Sequence, residues 1–152
     1  METFLEQLAS RQGRFEGRGV NHEDEPFTGR LLLQGVPGTP ACAWDFLARL
    51  DSGVFVHVEH TILALDEVGD LGLWTVSSNR PRVARYALAG LEEARDGLEA
   101  SFADGDPDDE TRFRSRIRVE LPGTGEVGIH HAWGLPGEAF AERSGLRMSA
   151  VG

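Results

Sequence analysis

The side chains best able to do chemistry here are five histidines, a set of arginines on one strand, one cysteine and three tryptophans. His57 and Glu59 stand two apart in VFVHVEHTILAL (54–65), with His60 between Glu59 and Thr61. A histidine beside an orienting carboxylate can act as a general base. The same pair on a solvated strand is only a polar face. His130 and His131 are adjacent in EVGIHHAWG (126–134). Neighbouring strand residues point to opposite faces, and no acid or cysteine stands at ligand spacing nearby. No metal site is therefore expected. Arg112, Arg114, Arg116 and Arg118 share one strand face. They suit either bidentate grip on a carboxylate or phosphate, or pairing with acids on neighbouring strands. Phe113, Ile117 and Val119, on the other face, claim the interior.

The elements that position these residues are short. ETFLEQLAS (2–10) has Phe4, Leu5 and Leu8 at helical spacing, with Glu2 in the first turn. From residue 13 the hydrophobic period changes to two. GRFEGRGV is a strand interrupted by Gly13, Gly17 and Gly19. Further strands are expected over 27–36, 41–50, 54–65, 71–79, 80–90, 97–106, 111–121, 126–134 and 141–151. Turn signals such as Pro37-Gly38, Asp51-Ser52-Gly53 and Pro122-Gly123 separate them. Segment 83–98 fits a helix as an alternative. Nine or ten strands with turns every 8–12 residues predict an all-β antiparallel sandwich or barrel, and closure into a barrel also removes the exposed edges.

Composition narrows the class. The chain has 152 residues, 40% hydrophobic and 26% charged, which suits one globular domain, 1–152. Its 25 acids against 15 bases give a net charge of −10. That argues against nucleic acid and anionic membrane as partners. Cys42 is the only cysteine, so no internal disulfide forms and the residue reads as small core filling. There is no apolar run of signal or membrane-span length. A cytoplasmic protein is expected. Abundant Arg and Ala with no Lys suggest a GC-rich bacterial source. Nucleophile elbows, Cys-x-x-Cys pairs, phosphate loops and dinucleotide fingerprints are absent from the sequence.

The short helix, the first strand Phe15-Glu16-Gly17-Arg18-Gly19 and the meander of about ten strands together resemble the calycin superfamily. Within it, the pattern is similar to the bacterial lipocalin-like and fatty-acid-binding-protein-like barrels in the neighbourhood of nitrobindin. The family's first strand usually carries Trp where this chain has Phe15. The resemblance implies a closed barrel with an internal cavity. Nitrobindins bind haem through a histidine late in the chain. The late histidines here are His130 and His131, and the resemblance selects neither, so the cofactor stays open.

In a barrel alternate residues point inward. The more apolar face of each strand predicts an interior of Trp44 and Phe46, then Val54, Val56, Val58, His60 and Ile62, then Trp74 and Val76. Phe113, Ser115, Ile117 and Val119 follow, with Val127, Ile129, His131 and Trp133 last. A one-residue slip in 54–65 would instead put His57, Glu59 and Thr61 inside. Trp44, His60, Trp74, Phe113, His131 and Trp133 are the expected ligand-binding residues, with Trp133 near a barrel mouth because the chain turns at 134–137. The expected function is binding of a small apolar or aromatic molecule, a homodimer being allowed. An enzyme using His60 or His131 as acid/base, a haem protein, and a barrel filled by its own side chains are the alternatives.

Overall fold

The computed structural model describes residues 3–152, so the expected place of Glu2 in the first helical turn lies outside the described residues. One short helix, α1 (Phe4–Ala9), precedes ten strands. Thr3 caps α1 in a reciprocal box with Glu6, which satisfies two amides that a helix start leaves open. Phe4, Leu5 and Leu8 form its buried side.

The strands are β1 (Gly13–Asn21), β2 (Pro26–Gly35), β3 (Cys42–Leu50), β4 (Phe55–Leu65), β5 (Leu71–Ser77), β6 (Arg80–Ala94), β7 (Gly97–Asp104), β8 (Arg114–Pro122), β9 (Val127–Gly134) and β10 (Ala141–Ala150). Each pairs antiparallel with its sequence neighbour, and β1 pairs with β10 to close the barrel. Segment 83–98 is therefore strand, turn and strand rather than helix. β8 starts at Arg114, later than expected, because the Thr111 amide and hydroxyl both turn back to Asp109.

Closure depends on glycine at the first strand. A Cβ on Gly17 would lie 2.2 Å from the Arg147 carbonyl oxygen, and one on Gly19 would meet the Phe27 ring at 2.7 Å. Only glycine lets β1 and β10 approach this closely.

The two ends of the barrel differ. Strands β1, β3, β5, β7 and β9 begin at the end where α1 packs. There the Cys42 thiol faces the Leu5 carbonyl at 3.7 Å, Phe4 meets Phe102 edge-on at 6.3 Å, and Arg11 donates to the Pro122 carbonyl. This half is solid, filled by Leu31, Leu33, Trp44, Leu63, Leu73, Phe102, Leu121, Ile129 and Met148. Among the described residues no helix is long and apolar enough to cross a membrane.

The interior of β4 corrects the expected phase. Glu59, Thr61 and Leu63 are buried, His57 also points inward, and His60 and Ile62 are exposed. Val54 is likewise exposed, and Val58 pairs with Leu47 on the outer wall. Val56 reaches the interior because the β3–β4 register shifts by one residue between Ala48 and Arg49. β5 follows β4, since Thr61 pairs with Thr75 and Ile62 with Trp74, and directly paired residues share a face. Trp74 and Val76 therefore lie outside. The physical reason is Glu59: its carboxylate finds donors only in the interior, whereas valines and an isoleucine tolerate the outer surface of a sheet.

Candidate functional site

Opposite α1 the barrel is open. A pocket of about 410 Å³ enters there and stops on a polar floor. Phe27, Phe46, Val56, Phe113, Ile117, Trp133 and Leu146 line its walls. The floor is built from two strands that are not neighbours. His57 and Glu59 come from β4, and His131 reaches across the lumen from β9.

Glu59 is the centre of this floor, 1% exposed. Its Oε1 accepts from His57 Nε2 at 2.9 Å and from His131 Nε2 at 3.0 Å. Its Oε2 accepts from the Trp44 indole at 3.1 Å and from the Thr61 hydroxyl. Thr61 and Thr75 hydroxyls bond each other at 2.8 Å. Burial, the largest influence, pushes the Glu59 carboxyl up, but hydrogen bonds and charge from His131 and His57 outweigh it and hold it well below the usual carboxylate range. Asn79 lies 2.9 Å from His57 Nδ1 and fixes that ring from behind. Phe46 stacks on His131, 6.1 Å between centroids. The two imidazoles are 5.0 Å apart.

A second polar group stands on the wall. Tyr86 donates to Ser115 at 2.7 Å, and burial pushes its phenol up. Arg80 lies over the Phe113 ring at 5.2 Å while pairing with Asp104 at 2.7 Å. At the mouth, His22 meets Trp133 edge-on at 5.5 Å, and Arg143 lies 5.8 Å from the same indole.

Of the residues expected to bind ligand, Phe113, His131 and Trp133 line the pocket. Trp44 is inside but beneath the floor, donating to Glu59. His60 is on the outer wall bonded to Asp45, and Trp74 is outside against Arg85 at 5.7 Å. His57 and Glu59 take the place expected of His60. The signal for them was the polar alternation His57-x-Glu59-x-Thr61, which only the slipped phase brings inside. Tyr86, Arg80, Asn79 and His22 gave no signal, because each sits in an ordinary polar or strand context. The expectation of no metal cluster rested on spacing along the chain. In space, His57, Glu59 and His131 bring three ligand atoms within 4.8 Å of one another.

The arginine row splits. Arg114 is buried, and its guanidinium donates to the carbonyls of Pro107, Arg112, Leu135 and Glu138. Arg118 pairs with Glu99 and Glu142, and Arg116 covers Phe140. Arg112 pairs with Asp104 at 3.2 Å. The row thus pairs with neighbouring segments and does not form an anion grip.

Haem does not fit the late histidines. His131 Nε2 stands 3.0 Å from Glu59 Oε1, so an iron bound there would have the carboxylate where a porphyrin ring must lie. His130 is on the outer face, with Nε2 on Glu120 and Nδ1 on Glu142 at 3.1 Å. A porphyrin iron needs open space for the ring plane beside its axial nitrogen, which neither histidine offers.

No protein-family model matches the chain, and no curated protein matches it. Among solved structures, the crystal structure of Rv2717c from M. tuberculosis is similar over 100% of both chains, with a TM-score of 0.72 and 13% sequence identity. At that identity the likeness is one of fold, and fold alone does not fix function.

Proposed function

We propose that this protein is a small-molecule-binding barrel of lipocalin-like type, taking a partly apolar ligand through the end opposite α1. One observation carries the reading: the open half of the barrel holds a pocket of about 410 Å³ with apolar walls and a few fixed polar groups on its floor. Ligand sites typically have about 300–1,000 Å³ and that same division of labour. The solid half supplies rigidity, so the floor is held in place before ligand arrives.

An anilinonaphthalene sulfonate dye tests it. Its fluorescence should rise and saturate with the wild-type protein. Ala48→Trp, which fills the pocket from β3, should weaken the dye by at least about tenfold with unchanged circular dichroism. Equal binding by the folded variant would place the dye elsewhere and sink the reading.

A second reading, acid–base catalysis in the same pocket, is favoured by the two imidazoles that line it while bonded to an ionised carboxylate. An enzyme would need one imidazole to exchange a proton with substrate; Asn79 occupies the second ring nitrogen of His57, so His131→Gln would abolish turnover while the folded variant still binds dye.

A further inference from the structure

The geometry points to a site for one divalent first-row transition metal ion at His57 Nε2, His131 Nε2 and Glu59 Oε1, at the base of the pocket. It goes beyond the binding reading and does not depend on it.

The donor set is the first argument. Two imidazole nitrogens and one carboxylate oxygen suit zinc or ferrous iron, whereas calcium and magnesium prefer oxygen throughout. Spacing is the second. Metal bonds of ~2.1 Å put neighbouring donors ~3.4 Å apart at zinc's tetrahedral angles and, at the right angles of a six-coordinate ion, ~3.0 Å apart. Both nitrogens lie at that separation from Oε1, 2.9 and 3.0 Å, and all three atoms fall within 4.8 Å. An ion can take the place of the two bridging protons as the side chains settle to its preferred angles.

The supporting shell is the third argument. Oε2 is held by Trp44 and Thr61, which leaves Oε1 to face the nitrogens. Asn79 places its amide at His57 Nδ1; turned to present Oδ1, that amide would accept the Nδ1–H that a metal-bound ring carries. Outer contacts of this kind orient metal ligands and tune affinity. Charge is the fourth. Glu59 is buried, and among the described residues the basic groups within salt-bridge distance of it are the two imidazoles. A divalent ion would neutralise it. All three residues also line the pocket, so the remaining coordination positions open toward it, as in catalytic rather than structural sites.

The test uses chelator-treated full-length protein with Zn²⁺ alone, followed by calorimetry, and Co²⁺ for its visible absorption. Wild type should take up one equivalent at about micromolar affinity or better. His57→Ala and His131→Ala should each weaken binding by about a hundredfold or more, and Asn79→Ala by about tenfold. His130→Ala, on the outer wall, should bind as wild type does. Should a ligand variant fail to fold, histidine ring ¹⁵N spectra of the wild type decide: Zn²⁺ should move the Nε2 signals of His57 and His131 and leave His130 in place. Absence of saturable binding, unmoved ring signals, or full binding by folded His57→Ala and His131→Ala would overturn the assignment. No organic ligand enters these measurements, so their failure and that of the dye titration are separate results.

Discussion

At the scale of single residues, Trp44 and Trp133 separate two jobs that one residue type can do. Trp44 is buried and donates to an ionised carboxylate. Trp44→Phe keeps the ring but removes that donor, and should cost about 1.5–3 kcal/mol in a urea unfolding series. Trp133 borders open pocket and is only partly buried. Trp133→Ala should cost less than the ~3–5 kcal/mol of a packed-core truncation, while weakening the dye. A core-sized stability loss would mean that the ring is packing rather than pocket wall. Glu59 has four hydrogen-bond partners to lose. Glu59→Ala would leave Trp44, Thr61 and two imidazoles facing an emptied interior, and should cost about 3–5 kcal/mol.

At the scale of elements, the two loop segments around the open end are tied down by Arg114 at the start of β8. Its four carbonyl contacts join the 105–113 and 135–140 segments. Arg114→Ala should raise amide exchange and protease cleavage in both segments, well before the β-ladder itself loosens. Unchanged exchange there would show that the loops hold by other means. The β1–β10 seam has its own weak point. Gly17→Ala brings a Cβ against the Arg147 backbone and should lower stability by forcing the seam apart, with β1 and β10 amides losing protection first.

At the scale of the whole molecule, the excess of acids makes stability depend on which carboxylates are paired. Glu120 on β8 bonds Arg147 on β10 and His130 on β9, linking three strands. Burial, the largest influence, pushes its pKa up, but the Arg147 hydrogen bond and the His130 charge prevail and hold it below the usual carboxylate value. A depressed folded-state pKa adds stability above the unfolded value that disappears as pH falls through the folded one. Wild type should therefore lose stability through the acid carboxylate range more steeply than Glu120→Gln, measured as unfolding midpoint against pH. Parallel curves would exclude this contribution.

The sequence by itself determined the class of fold. Period-two alternation in β8 and β9, glycines in β1 and turn residues between strands are local signals, and each maps onto an observed element. The same alternation put Phe113, His131 and Trp133 on the inner side, because there the apolar face and the inner face coincide. In β4 and β5 they do not. Val58, Ile62 and Trp74 outweigh the other face in apolar area, yet the inner face is set by where Glu59 meets its donors. Those donors come from β3, β4 and β9, and the bulge at Val56 adjusts the register to suit. No window of sequence contains Trp44, Glu59 and His131 together. Only closure of the barrel brings β9 across from β4, so the three-residue floor of the pocket was decided by the tertiary structure.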